Sequence, residues 1–274
     1  MEFSNETILK GLGSRICALY EQSGRPVPLL EYYSFEAKWC VVYAGGSYKG
    51  RAFNFTADHA VYGPVDPTPL VAYKDYIGRP LPLFIQALEE KDDLLHRSLL
   101  MAALNAFSAP LYEKERLEPL GIHMYGPDHL DFIHPEDKVT IVGAGAYMRE
   151  IAAICGHVDV IDMRPESALY TLHVGKEVSW EPKGVTFHGP EDTARLFAAS
   201  DVVILTGSTM VNGTLVPLLK QARNCRVRAV FGPSSQVIPE YLKELGIDWT
   251  FTILTPADDP QTIRYTLHCE SKES

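Results

Sequence analysis

The second half of the chain alternates short apolar strands with helices, and this alternation constrains the fold more than any other feature. The strand-like runs are "KVTIVGAGA", "VDVIDM", "GVTFHG", "DVVILTG", "VRAVFGPS" and "WTFTIL". Helical segments such as "YMREIAAIC", "PEDTARLFAAS", "VNGTLVPLLKQA" and "VIPEYLKEL" separate most of them. Strands joined by helices run parallel through right-handed crossovers. The pattern therefore predicts an α/β fold with a doubly wound, Rossmann-like parallel sheet.

The first part of the chain has a different pattern. Apolar residues recur at three- and four-residue intervals from about Glu6 to Glu21, which predicts a helix. Three runs rich in β-branched and aromatic residues follow, and the short turns between them predict an antiparallel meander. A helical pair ending near Tyr112 completes a smaller α+β unit. We therefore expect an α+β domain over residues 1–112 and a Rossmann-like ligand-binding domain over 113–274.

Composition and charge exclude several classes of protein. Hydrophobic residues make up 46% of the chain and charged residues 22%, which is typical of globular domains. A formal charge of −10 with scattered Lys and Arg argues against nucleic acid as a partner. No run approaches the roughly 18 apolar residues of a membrane span, and the N-terminus has no signal-peptide pattern. We expect a cytoplasmic protein with reduced cysteines, no membrane partner and a small-molecule substrate; a homodimer is compatible with the sequence.

The turn after the first strand of the parallel sheet carries part of a dinucleotide-binding motif. Gly143 and Gly145 supply two of its glycines, which allow a tight turn and close approach of a ligand. Met148 stands where the third glycine is expected. Because S-adenosylmethionine has no pyrophosphate, it tolerates a looser turn than nicotinamide cofactors do. A glycine-rich turn without a ligand is the structural alternative.

The next strand ends in "IDMRP". Asp162 lies about 19 residues after Gly143, where an acid accepts hydrogen bonds from ribose hydroxyls. Arg164 is a candidate for binding a phosphate or a carboxylate. The alternatives are a helix cap for Asp162 and a solvated side chain for Arg164.

Two further strand ends are rich in glycine and hydroxyl groups. In "TGSTMVNGT", Ser208 or Thr209 can cap the helix through "VNGTLVPLLKQA", and a pure cap is the structural alternative to a ligand. Asn212 and Gly213 lower helix propensity there, which favours contact with a ligand. The stretch "FGPSSQ" repeats the pattern one strand along and suggests an anion seat, with a serine cap as the alternative.

The predicted site falls into two groups of residues. The cofactor-binding group is Gly143, Gly145, Tyr147, Asp162, Arg164, Thr206, Gly207 and Ser208. The substrate-binding group is Thr209, Asn212, Thr214, Gly232, Ser234, Asn105 and Glu31, the last two reaching the crevice from the first domain. No catalytic residue is identifiable, because no nucleophile elbow or H-E-x-x-H motif occurs. His123, His129 and His134 could contribute to a metal site, although a solvated linker explains them better.

These motifs resemble one known family. The stretches "LLMAALNAF", "VGAGAYM", "VIDMRP", "ILTGSTMVNGTL" and "VFGPSS" are similar to the family called "putative heavy-metal chelation", whose function is unsettled. The resemblance implies a first domain like the N-terminal domain of enolase, a Rossmann-like second domain and a site in the cleft between them. It also implies that this cleft is lined by Gly143, Gly145, Asp162, Thr206, Ser208, Thr209, Asn212 and Ser234, with Asn105 from the first domain.

The resulting hypothesis is a two-domain enzyme with S-adenosylmethionine as its cofactor and a small polar substrate, in metallophore or metal-linked metabolism. Direct chelation fits poorly, because no cluster of thiolates or histidines has ligand spacing. Two alternatives stay open. One is a nicotinamide-dependent oxidoreductase, which Asp162 favours and Met148 disfavours. The other is a non-enzymatic metal-binding protein.

Overall fold

The computed structural model describes residues 8–35, 38–46, 48–55, 61, 66–127, 129–145, 147–165, 169, 171–173, 177–179, 183–256 and 263–270. The strands are β1 Leu30–Phe35, β2 Trp39–Ala44, β3 Tyr48–Phe53, β4 Ile122–Tyr125, β5 Val139–Val142, β6 Val158–Ile161, β7 Thr171–His173, β8 Glu177–Ser179, β9 Val185–His188, β10 Val202–Thr206, β11 Val227–Phe231, β12 Trp249–Pro256 and β13 Ile263–Cys269. The α-helices are α1 Leu12–Gln22, α2 Leu81–Glu89, α3 Leu94–Ser108, α4 Lys114–Leu117, α5 Met148–Cys155, α6 Thr193–Ala199, α7 Ser208–Val211, α8 Leu215–Gln221 and α9 Pro239–Glu244.

A mostly parallel sheet of eight strands forms the second half, in the order β9-β6-β5-β10-β11-β12-β13-β4. The first six run parallel, and β13 and β4 are antiparallel additions at one edge. The meander β1-β2-β3 joins this sheet where β3 pairs with the end of β12, Lys49 opposite Thr255. The predicted fold class is confirmed. The small β7-β8 hairpin was not predicted.

Two predicted helices differ from those in the structure. The first begins at Leu12 rather than near Glu6, because Gly11 adopts the left-handed conformation before it. Residues 1–7 lie outside the described ranges. The helix predicted through "VNGTLVPLLKQA" is divided between α7 and α8. Gly213, with φ of 77°, makes the left-handed turn that separates them.

Helix α3 is the centre of the core. From Leu95 to Ser108 every residue except Arg97 is buried, as its nearly continuous apolar sequence predicts. On one side β3 comes so close that a Cβ atom at Gly50 would lie 2.0 Å from the carbonyl oxygen of Ala102. On the other side the same hydrophobic cluster continues into β10 and β11 through Leu205 and Val230. The two halves of the chain therefore share this buried cluster, whereas a second cluster, which includes Ile141 and Phe251, lies within the second half. The boundary at residues 112/113 stays a prediction.

Polar contacts also cross between the halves. The Tyr112 hydroxyl donates to the carbonyl oxygen of Val237 at 2.7 Å. Arg15 forms a two-point ion pair with Glu244, and its longer contact is 2.8 Å. In the described part of the chain, no helix has the length and apolar character needed to cross a membrane.

Candidate functional site

A cavity of about 430 Å³ lies where the carboxyl ends of the parallel strands meet the meander. This is the position at which open parallel sheets bind ligands. The loops after β5, β6, β10 and β11 supply one wall, and the meander supplies the other. Twelve of the fifteen predicted site residues line it: Gly143, Gly145, Tyr147, Asp162, Arg164, Thr206, Ser208, Thr209, Asn212, Thr214, Gly232 and Ser234.

The loop after β5 packs tightly against two neighbouring strands. Gly143 has φ of 93°, and a Cβ atom there would lie 2.7 Å from the Thr206 side chain. A Cβ atom at Gly145 would lie 2.9 Å from the ring of Phe231. Both glycines are therefore needed by the packing of the loop, whether or not a ligand binds there. Among the described residues, Tyr147 is the one non-glycine residue with positive φ, 74°, and its ring stacks on Phe251.

The carboxylate of Asp162 ties two of these loops together. Its Oδ2 accepts hydrogen bonds from the amide of Ala144 at 2.7 Å and from Nη2 of Arg164 at 2.8 Å. Its Oδ1 accepts from the amide and Nε of Arg164, at 2.9 and 3.0 Å. These four bonds match the capacity of a carboxylate. A ribose hydroxyl could bind Asp162 only if one of these donors moved.

The ionisation of Asp162 follows from these contacts. Burial alone would raise the pKa of this carboxyl group. The hydrogen bond and positive charge of Arg164, with the amides of Arg164 and Ala144, outweigh burial and hold the pKa below its usual value. Asp162 is therefore a carboxylate at neutral pH.

The hydroxyl groups after β10 bind within their own loop. The Thr209 hydroxyl donates to the carbonyl oxygen of Thr206 at 2.7 Å, and neither α7 nor α8 has a side-chain cap hydrogen bond. The structural alternative, a helix cap by Ser208 or Thr209, is therefore not observed. The reason is that a hydroxyl used as a donor to a preceding carbonyl is not placed to accept from the helix amides.

Asn212 and Thr214 organise the turn between the two short helices. Oδ1 of Asn212 accepts from the amide of Thr214 at 3.2 Å and from its hydroxyl at 2.7 Å. This is an Asx turn, which gives the asparagine a structural role besides its place in the cavity wall. Gly213 provides the left-handed turn and does not line the cavity.

Ser234 connects the strand ends to the meander. Its hydroxyl oxygen accepts a hydrogen bond from the amide of Phe53 at 2.8 Å. It therefore does not act as the helix cap that was the alternative interpretation. Gly232, with φ of 96°, sets the turn before it.

Three predicted residues lie away from the cavity wall. Gly207 packs behind it, where a Cβ atom would lie 2.6 Å from the amide nitrogen of Ser235. Asn105 is fully buried and donates to the carbonyl oxygens of Arg51 and Pro233, at 2.7 and 2.8 Å. Its Oδ1 has no hydrogen-bond partner among the described residues. Glu31 is exposed on β1. Neither Asn105 nor Glu31 thus reaches the crevice from the first domain.

The histidines of residues 123–134 do not converge on one point. His123 pairs with Glu270, His129 stacks on Tyr125, and His134 is exposed. Within the described ranges, no three His, Cys, Asp or Glu side chains form a group that could hold a metal ion. The five cysteines are free, and burial raises the pKa of the Cys269 thiol to about 12.

Sequence reasoning missed the wall that the meander contributes. Four residues around the facing ends of β2 and β3 line the cavity opposite the strand ends: Lys38 just before β2, Trp39 at its start, Phe53 at the end of β3 and Phe55 just after it. Nζ of Lys38 lies 5.4 Å from the centre of the Trp39 ring. The aromatic pairs Trp39–Phe53 and Phe53–Phe55 are packed edge to face. The sequence does hold a sign of this wall, because Trp39 and Phe53 are aromatic residues that face each other at paired ends of β2 and β3.

A family model described as "putative heavy-metal chelation", DUF364, matches residues 128–267. The chain belongs to the DUF364 family. The match spans the loops after β5, β6, β10 and β11, and it confirms the resemblance inferred from the sequence motifs. The missed wall of Lys38, Trp39, Phe53 and Phe55 lies outside it.

Two solved DUF364 structures of unknown function share the fold of this chain. The protein from Pyrococcus horikoshii is 18% identical with a TM-score of 0.64, and that from Desulfitobacterium hafniense is 17% identical with a TM-score of 0.63. Each comparison covers 94% of this chain and 98% of the other. An uncharacterized protein of Methanocaldococcus jannaschii is 27% identical over 172 residues, which are 62% of this chain and 59% of that protein.

Proposed function

We propose that this DUF364 protein is an enzyme that binds a nucleoside-type ligand in the cavity, with S-adenosylmethionine as the specific candidate. A small polar substrate would bind beside it, and the reaction would belong to metallophore or metal-linked metabolism. The observation that carries the proposal is one cavity with an aromatic wall facing polar strand ends. A volume of about 430 Å³ lies within the range of small-molecule sites.

The two walls suit the two parts of a nucleoside. Aromatic side chains at Trp39, Phe53 and Tyr147 offer faces and edges against which a planar base can pack. Oxygens of Thr209 and Thr214, whose protons are already donated within the loop, can accept hydrogen bonds from ribose hydroxyls. Asp162 can do so only by releasing Arg164 or Ala144, so its main task in this arrangement is to position Arg164.

Metal handling would then depend on the small molecule rather than on the protein. The family description refers to heavy-metal chelation, whereas the described side chains form no chelating group. An enzyme that makes or modifies a chelator agrees with both observations. Elemental analysis of protein purified without a chelating tag separates this proposal from the metal-binding alternative.

Isothermal titration with S-adenosylmethionine and S-adenosylhomocysteine tests the ligand directly. We expect binding to the wild-type chain and clear weakening in Trp39→Leu, which removes an aromatic face from the cavity. Cys40→Ala is the matched control, because Cys40 is the next residue on β2 and is buried in the core. Circular dichroism confirms folding of both variants. Absence of heat with both ligands would refute the nucleoside part of the proposal.

The nicotinamide alternative has less support from the geometry. Met148 is buried at the start of α5, where the motif for pyrophosphate binding places a glycine for close packing. A thermal shift produced by reduced nicotinamide cofactor, without one from S-adenosylmethionine, would favour this alternative instead.

A further inference from the structure

The charge of the cavity wall differs from that of the whole chain. The chain carries a formal charge of −10. Of the cavity-lining residues in the described part of the chain, the charged ones are Lys38, Arg164 and Asp162. Asp162 is already paired with Arg164 at 2.8 Å. Among these described side chains one cation, Lys38, is therefore in excess, so this part of the wall is positive although the chain as a whole is acidic.

The hydroxyl groups of the wall point to the same ligand chemistry. The hydroxyl oxygen of Ser234 accepts a hydrogen bond from the Phe53 amide. The hydroxyl proton of Ser234 has no acceptor among the described residues. Thr206 and Ser208 lie 3.1 Å apart at their hydroxyl oxygens, so one donates to the other and one proton remains for a further acceptor. The wall thus offers two hydroxyl donors besides the two cations. A carboxylate or a phosphate has several oxygens that can accept hydrogen bonds from hydroxyl groups and cations together.

Arg164 is oriented for this task by its contact with Asp162. The carboxylate holds Nε and Nη2 of the guanidinium, and Nη2 also lies 3.3 Å from the carbonyl oxygen of Ala144. The guanidinium is thereby fixed at the cavity wall, and its side chain retains 37% exposure. A fixed cation loses little conformational entropy when it binds an anion.

We infer that the cavity selects ligands in which a carboxylate or phosphate lies beside a planar ring, with the anion bound by Lys38 and Arg164. This inference rests on the proposed function and narrows it. The carboxylate of S-adenosylmethionine and the phosphate of a nucleotide are two sources of the same chemistry. Asp162 acts through Arg164 and is a positioning residue.

Matched neutral and anionic probes test the inference on the full chain. The pairs are adenosine with adenosine 5′-monophosphate and benzamide with benzoate, measured by thermal shift and titration together with S-adenosylmethionine. We expect the anionic member to bind at least about tenfold more tightly, as expected for hydrogen bonds to a charged group. Raising the salt concentration should reduce this preference.

Lys38→Met tests the contribution of the Lys38 charge, because it removes the ammonium group and keeps an unbranched side chain. Because Lys38 is exposed, this variant should fold normally and should lose most of the preference for anions. Lys74→Met removes the same charge from an exposed lysine outside the cavity wall, and it should retain the preference. Arg164→Gln is less informative, because it leaves the Asp162 carboxylate without its ion pair.

The outcomes separate the inference from the proposed function. Equal affinity for neutral and anionic members, or an unchanged preference in Lys38→Met, overturns the inference even if S-adenosylmethionine binds. Binding of benzoate and the nucleotide, without binding of adenosine or S-adenosylmethionine, supports the anion site and refutes that cofactor. A complete lack of response to all probes overturns both.

Discussion

The amide of Phe53 donates a hydrogen bond to the hydroxyl oxygen of Ser234 across 2.8 Å. These residues are 181 positions apart, at the end of β3 and in the turn after β11. Their bond joins the aromatic wall of the cavity to the wall formed by the strand ends. The shape of the site thus depends on contacts between the two halves of the chain.

Ser234→Ala should weaken both the fold and the site. Ser234 is buried, and its loss leaves the Phe53 amide without an acceptor, at a cost of about 1–3 kcal/mol in the free energy of unfolding. Ser234→Thr keeps the hydroxyl group and should be affected less. Urea denaturation of the three proteins measures the difference. Equal losses in both variants would show that packing, rather than the hydrogen bond, matters at this position.

Asp162→Asn should change how stability depends on pH. The folded-state pKa of Asp162 lies below its ordinary value of 3.8, so its stabilising effect is fully present above that value. The effect is lost as the pH falls through the lower, folded-state pKa. We expect the variant to be about 2–3 kcal/mol less stable at neutral pH.

Denaturation midpoints recorded from pH 7 down to pH 3 measure this linkage. The difference between wild type and Asp162→Asn should shrink toward the acid end of the series. A difference that stays constant would show that the carboxylate charge does not contribute through Arg164.

Gly50→Ala should prevent normal folding. The added methyl carbon would lie 2.0 Å from the carbonyl oxygen of Ala102 and 2.3 Å from the amide nitrogen of Ala106. Both are backbone atoms of α3, so relief requires β3 to move, at a cost of at least about 3 kcal/mol. Gly126→Ala is the control, because no atom lies within 4 Å of a Cβ there. Soluble yield and the unfolding midpoint distinguish the two variants.

Unfolding should occur in one transition that both halves report. Leu99 of α3 and Leu205 of β10 belong to the same buried cluster, so each half would leave its part of that cluster exposed without the other. Fluorescence of Trp39→Phe, and of a variant in which both Trp180 and Trp249 are changed to Phe, leaves reporters in one half at a time. We expect the two melting curves to coincide with each other and with circular dichroism. Separate midpoints would instead support domains that unfold independently.

The sequence predicted the parallel sheet well, because each strand and crossover helix leaves a local pattern of apolar residues. It also identified most residues of one cavity wall, since strand ends in such a sheet meet at a known edge. The roles assigned to those residues stay predictions.

Other features depend on contacts that no local pattern records. The aromatic wall arises from packing between β3 and a turn far along the chain. Asn105 and Asp162 looked available to a ligand, yet their polar atoms bond to Pro233 and to Arg164. The sequence allowed a helix cap by Thr209, which does not form because its hydroxyl donates to the preceding carbonyl oxygen of Thr206.

The shared core also bears on how such proteins can diversify. The family match covers residues 128–267, whereas the cluster that buries Leu205 and Val230 is completed by residues as early as Ile8. A gene fusion that transferred only the matched segment would carry an exposed apolar face and only one wall of the cavity. Recombination is therefore expected to keep both segments together, and new specificities should come from point substitutions at Lys38, Trp39 or Phe55 rather than from exchanged modules.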